Sequence, residues 1–186
     1  MSPNTKTRLL DASIEAFGGL GYAATHVDYI VEQAACTKPS LYYHFTCKAG
    51  LFEASLTEAL ARVTAPLLQV VEGGEHVSDW LEPLLRALQD VARRMPDEFR
   101  MIVTANADPT RPDGLQLPLR ESPLLQAMRA RLGISGEREA LALIIGAATV
   151  LARLEAQASR PHLDVACLAR LLLGGLATPE PPPTPK

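Results

Sequence analysis

Between Lys38 and Lys48 the chain places an ammonium, a hydroxyl, two phenols, an imidazole and a second ammonium within eleven residues. Lys38 and Ser40 stand where a short helix would begin. From a helix N-terminus such side chains reach base edges in a major groove, and lysine donates to guanine O6 and N7. Pro39, between them, offers apolar contact to a thymine methyl. Tyr42, Tyr43 and His44 can donate to phosphate oxygens without adding full charges, and Lys48 adds a cation. With Thr25 and His26 from the preceding helix, these residues form the candidate DNA-contacting set. A small amphipathic helix with polar tips has the same composition, so periodicity alone leaves both readings open.

Three short helices are needed to position that set. Leu10, Ile14 and Phe17 share one face of a helix over 6–20, which should stop in Gly18, Gly19 and Gly21. Thr25 then reads as the cap of a second helix, with Asp28 three residues on as a shorter relative of the capping-box acid. Val27, Ile30, Val31 and Ala34 give its apolar stripe. After a turn at 35–37, Pro39 occupies a first helical turn, where its missing N–H costs nothing. Leu41, Tyr42 and Phe45 supply the inward face of the third helix. Two short helices joined by a tight turn match a helix-turn-helix.

Composition bounds the remaining readings. At 186 residues with 47% hydrophobic and 21% charged, the chain can bury a core, and 5% aromatics amid abundant Ala and Leu favours packed helices. Net charge is −3, and residues 1–50 balance Lys6, Arg8, Lys38 and Lys48 against Asp11, Glu15, Asp28 and Glu32. A DNA reading therefore rests on where charges sit. The four histidines are scattered, and no metalloprotease helix, phosphate loop or nucleophile elbow occurs, which argues against an enzyme, a metal site or a cofactor. Cys36, Cys47 and Cys167 have no disulfide or zinc spacing. Charges interrupt the first apolar stretch, unlike a signal peptide, and no run is long enough to span a bilayer. The expectation is a soluble, cytoplasmic protein with no membrane partner.

Downstream, a helix is expected from Lys48 to about Thr64, ending or kinking before Pro66, followed by a short apolar piece closing at Gly73–Gly74. Ser78 can cap a helix carrying Trp80, Leu84 and Leu88, and another should begin at Asp97. Residues 107–118 read as a loop, and helices are expected over 123–132, 137–158 and 163–173. The segment 178–186 holds five prolines and should be a disordered tail.

The stretch 21–52 resembles the DNA-binding signature of TetR-family transcriptional regulators. Gly21, Tyr22, Thr25, Ile30, Leu41, Tyr42, Phe45 and Lys48 fall in the family's register, while Ala35, Cys36 and Cys47 stand where Gly, Val and Ser are common. The resemblance implies an all-α protein: a three-helix helix-turn-helix DNA-binding domain over 1–50, then a helical ligand-binding and dimerisation domain over 51–177. It implies a homodimer whose heads meet successive major grooves of a palindromic operator, about 34–36 Å apart. It implies dimerisation through the last two helices. Leu141, Ile144, Ile145, Ala148 and Leu151, with Leu168, Leu171 and Leu172, supply suitable apolar faces, although such faces could equally bury each other within one chain.

Regulators of this kind lose DNA affinity when a small molecule favours a head spacing that misfits the operator. The candidate lining for such an effector is Trp80, Leu84, Phe99, Ile102, Val103, Met128 and Leu143, with Asn106 as a polar contact. The same stripe would serve as plain core. Two other readings remain: a helical adaptor that binds no DNA, and a thiol-based redox regulator using Cys36 and Cys47, which flank the third helix.

Overall fold

The computed structural model describes residues 4–74, 76–112 and 122–132. These residues form helices α1 (Thr5–Ala24), α2 (Val27–Gln33), α3 (Lys38–His44), α4 (Lys48–Glu72), α5 (Val77–Arg94), α6 (Pro96–Ala107) and α7 (Pro123–Leu132). The all-α expectation holds, with α1–α3 as a head on a longer helical body. The expected helices over 137–158 and 163–173, the tail, Leu143 and the whole expected dimer seam lie outside the described residues.

Asn4 caps α1, its Oδ1 accepting from the Thr7 N–H at 2.8 Å. Of the three glycines in which a stop is expected, Gly21 breaks the helix with a positive φ (φ 77, ψ 174), while Gly18 and Gly19 stay helical. The reason is tertiary. At Gly18, α6 crosses so closely that a Cβ would stand 3.0 Å from Met101 N and 3.2 Å from Asp97 O. That contact lets Thr104 Oγ1 donate to the Gly18 carbonyl at 3.1 Å, and lets Asp108 Oδ2 accept from the Tyr22 N–H at 2.8 Å, just past the Gly21 bend. The positive φ of Gly21 is one that side chains disfavour.

Thr25 does not cap α2. It is fully buried, and its hydroxyl lies 2.7 Å from Gly21 O and 3.2 Å from Ala16 O, turned back into α1. His26 takes the N-cap position instead, without a side-chain hydrogen bond. Ile30, Val31, Ala34, Leu41 and Phe45 are buried in the head core. Tyr42, expected on the inward face of α3, is 49% exposed. Leu41 and Phe45 take the buried positions of this segment, and Tyr42 lies on its flank.

The α2–α3 turn is a Schellman motif: Cys36 N donates to Val31 O at 2.9 Å and Ala35 N to Glu32 O at 3.0 Å. Its left-handed position is filled by Ala35 (φ 47), where glycine is the usual residue.

Helix α4 runs unbroken through Pro66, contrary to the expected end near Thr64. An internal proline costs about 3 kcal/mol. Val63, Leu67 and Val71 continue the buried stripe on either side of it, each contributing about 1.5–3 kcal/mol of burial, which outweighs that cost. Helix α5 begins at Val77 rather than at a Ser78 cap, with His76 at the N-cap and Asp79 Oδ2 accepting from its N–H at 2.9 Å.

Head and body are also joined by charge. Arg62 on α4 reaches Asp11 on α1 (2.7 Å), Glu58 on α4 (2.8 Å) and Glu98 on α6 (3.1 Å). Partial burial opposes the guanidinium charge, but hydrogen bonds to the carboxylates of Glu58, Asp11 and Glu98 prevail and raise its pKa.

Two stability changes follow from these backbones. Gly18→Ala pushes a methyl into the α6 backbone, which cannot move aside as a flexible side chain can; it should lose about 1–3 kcal/mol in urea unfolding. An unchanged midpoint would mean that α1 and α6 are not in that close contact. Ala35→Gly removes about 1–2 kcal/mol of left-handed strain. The freer unfolded chain returns about 0.4–1 kcal/mol of that, leaving a net gain of about 0.5–1 kcal/mol. Destabilisation would refute the left-handed turn.

Candidate nucleic-acid interface

Helix α3 is anchored from below and open from above. Leu41 is completely buried and Phe45 is 5% exposed, while Tyr43 is 86% exposed beside the half-exposed Tyr42. Thr37 caps the helix, its Oγ1 accepting from the Ser40 N–H at 3.4 Å. Pro39 and His44 are exposed and Ser40 is half-buried. The Tyr43 and His44 rings meet edge to face at 5.1 Å, so the helix tip carries a paired aromatic projection. His26 is exposed at the start of α2. A rigid short helix with a capped N-terminus and neutral donors along its outer face is suited to entering a major groove.

The cations are placed differently from the sequence expectation. Lys38 Nζ lies 2.5 Å from Asp28 Oδ1 on α2, a pair in which both side chains are more than half exposed. The hydrogen bond to Asp28 and its charge raise the Lys38 pKa. Lys48 is half-buried and folded back onto α1: its Nζ donates to Ala23 O at 3.3 Å and lies 4.5 Å from the centre of the Tyr22 ring. Burial lowers its pKa. Lys48 is therefore a strut tying the last turn of α1 to the start of α4, and not a free cation. The Tyr22 ring beneath it meets Phe52 edge to face at 5.2 Å, and Phe52 meets Phe17 in the same way at 4.9 Å. Arg8 Nη1 donates to the Ala35 carbonyl at 3.4 Å, bracing the α2–α3 turn from α1. Lys6 is exposed on the first turn of α1.

The structure thus brings His26, Lys38, Pro39, Ser40, Tyr42, Tyr43 and His44 to the surface of the head. It withdraws the Thr25 side chain altogether and leaves Lys48 half-buried, with its ammonium bonded to Ala23 O. The burial of Thr25 follows from its second role, closing the α1 C-terminus, which occupies its hydroxyl. Sequence reading missed Asp28 as a partner of Lys38. The ten-residue separation follows from the turn geometry, and no local pattern announces it.

In the body, Trp80, Leu84, Phe99, Ile102 and Met128 are buried in the continuous core, and Val103 packs at its edge. Asn106 is exposed. It shares a helical face with Phe99 and Ile102, seven and four residues back, but stands in the last turn of α6, where it is open to solvent. Trp80 has an unexpected property: its indole Nε1–H is buried with no hydrogen-bond partner, a costly condition for a donor. Two clefts lie near the head. One of about 430 Å³ is lined by Arg8, Asp11, Glu15, Gln33, Arg62 and Glu98 among others. One of about 530 Å³ is lined by Leu20, Gly21, Val103, Ala107, Asp108 and Thr110 among others, and shares only Val103 with the expected lining. No group of three metal-ligating side chains occurs among the described residues, and no helix there is long and apolar enough to cross a membrane.

Comparison with known proteins converges on this geometry. The sequence model described as "Bacterial regulatory proteins, tetR family" matches residues 9–55, the span of α1 to the first turns of α4. The A-factor receptor protein of Streptomyces griseus is 31% identical over 73 residues, which are 37% of this chain. The aligned stretch spans 26% of that protein, and 41% of the other curated relatives matched. A TetR-like transcriptional regulator from Rhodococcus sp. RHA1 superposes with a TM-score of 0.68 at 20% identity, over 96% of this chain and 100% of that one. A gamma-butyrolactone receptor described as an ArpA-like protein superposes with a TM-score of 0.58 at 25% identity, over 92% of this chain and 87% of that one. The head, residues 9–55, thus matches the sequence model of the TetR family of bacterial regulators, and the helical fold is shared with solved structures over most of the chain.

Proposed function

We propose that this chain is a cytoplasmic transcriptional repressor that binds a palindromic operator as a homodimer and releases it when a small molecule enters the body. The observation that carries the DNA reading is α3: a capped helix fixed by Leu41 and Phe45, with Lys38, Pro39, Ser40, Tyr42, Tyr43 and His44 outward. Lys38 and Ser40 are the base-edge readers, and the aromatic hydroxyls and His44 serve the phosphates. The neutral head has few charges with which to hold DNA alone, so pairing two heads supplies the affinity through effective concentration. The apolar faces over 141–151 and 168–172 are the proposed seam.

The effector reading rests on Trp80. A buried apolar cluster with one unsatisfied donor suits a largely apolar ligand that brings a single hydrogen-bond acceptor. The likeness to a gamma-butyrolactone receptor points the same way, since a lactone carbonyl is such an acceptor. A redox mechanism is less well supported: burial raises the Cys36 pKa, with Arg8 opposing, and a protonated thiol is the less reactive form.

Selection of bound duplexes from a random pool tests the DNA reading. The expected outcome is an inverted repeat whose half-site centres lie about 34–36 Å apart, bound by a sedimenting dimer. Enrichment of no sequence, or of a single unrepeated site by a monomer, would contradict it. Trp80 is the sole tryptophan of the chain, so its emission reports the proposed effector site directly. A lactone that releases the operator should also shift or quench that emission. Release with unaltered emission would place the effector elsewhere.

A further inference from the structure

We infer that Asp28 is a specificity-determining residue of the head, an internal competitor that holds Lys38 away from DNA until correct base contacts displace it. The inference rests on the DNA-binding reading above and deepens it.

Three of the head's four Lys/Arg side chains are engaged within the protein: Lys38 with Asp28, Lys48 with Ala23 O, and Arg8 with Ala35 O. Two of these engagements have an evident structural use. Lys48 closes α1 onto α4 from a half-buried position, and Arg8 braces the strained turn at Ala35. The Lys38–Asp28 pair has no such use. Its side chains are 54% and 73% exposed, and an exposed pair of this kind adds little to folding. The position of the pair is what matters. Lys38 is the first residue of α3 and Asp28 lies in the first turn of α2, so it joins the tips of the two helices that make the helix-turn-helix.

Non-specific DNA binding is almost entirely electrostatic, whereas specific binding adds base contacts. A lysine neutralised by a neighbouring carboxylate gives random DNA almost nothing. At the correct operator, a guanine edge presented to the Lys38 ammonium competes with Asp28, and the remaining contacts of α3 hold the head in place while the exchange occurs. The carboxylate thereby subtracts more from random DNA than from the operator. Asp28 has no comparable anchor, since among the described residues Lys38 is its ion-pair partner.

A double-mutant cycle tests this, using the full-length protein, a labelled random-sequence duplex and the selected operator, across a salt series. Asp28→Asn should tighten binding to the random duplex by about eightfold per head near 0.1 M salt, the worth of one added phosphate contact, and steepen the log–log salt slope by about 0.9 per head. Operator binding should gain less, so the ratio between the two falls. Lys38→Ala alone should scarcely alter random-duplex binding, and Asp28→Asn with Lys38→Ala should lose most of the gain of Asp28→Asn. Additive effects, with the double variant keeping the full gain, would overturn the proposal, because the gain would then come from removing a negative charge and not from releasing Lys38. An equal gain on both duplexes would overturn the specificity role. The Lys38 ammonium pKa, followed by NMR without DNA, should fall in Asp28→Asn. No fall would show that the pair does not exist in solution. If the wild type binds neither duplex at any salt, the regulator reading itself fails, an outcome distinct from additivity in a protein that does bind.

Discussion

Everything above the body depends on the close crossing of α1 and α6 at Gly18. Two helix backbones in contact there leave no room for a Cβ, and only that proximity lets Thr104 reach the Gly18 carbonyl and Asp108 reach the Tyr22 N–H. Asp108 also accepts from Thr110, and its carboxyl pKa is lowered by the Thr110 hydroxyl first and the Tyr22 N–H second. The tie is thus present above the ordinary Asp range and is lost only as pH falls through the depressed value. From Tyr22 the path continues through the ring to Lys48 and Phe52, so the end of α1 and the start of α4 are set by the same contact. Arg62 adds a second link between α1, α4 and α6. The head is seated on the body by helix proximity first and by charge second.

That seating has an electrostatic consequence. Cations that a DNA-binding head would be expected to turn outward are used to build it. Lys48 replaces solvent at the α1 C-terminus and Arg8 holds the turn carbonyl. What reaches the outer surface of α3 is largely uncharged: hydroxyls, phenols and an imidazole. Such groups give directional hydrogen bonds and little counterion release, which shifts the balance of recognition from affinity towards discrimination.

How far the sequence showed this varies with the range of the interaction. The helices of the head were legible because Leu10, Ile14 and Phe17, and Ile30, Val31 and Ala34, repeat at helical spacing, and Pro39 marks a first turn. The outward positions of Pro39, Tyr43 and His44 were legible for the same reason. Local rules failed wherever a distant partner intervened. Gly18, Gly19 and Gly21 read together as a stop; Gly21 does break the helix, but nothing nearby reveals that α6 lies against Gly18. Thr25 read as a cap because its alternative acceptors, the carbonyls of Ala16 and Gly21, become available only once α1 bends. Pro66 read as a break because the burial that carries α4 through it is supplied by other helices. Lys48 read as a phosphate contact because a lysine next to an aromatic-rich helix has that meaning unless a carbonyl and a ring are positioned to take it. Asn106 read as a pocket group because it falls at helical spacing from Phe99 and Ile102, but it stands in the last turn of α6 and is exposed.

In the proposed function, the head reads DNA mainly with neutral groups while its cations serve the fold. The salt dependence of operator binding by the wild-type protein, in its proposed dimeric form, tests it most directly. With Lys6 and a released Lys38 as the outward cations of each head, the log–log slope should be no steeper than about −4, at about 0.9 per phosphate contact. A slope of about −7 or steeper would contradict the account, for it would place on phosphates the cations assigned here to internal bonds.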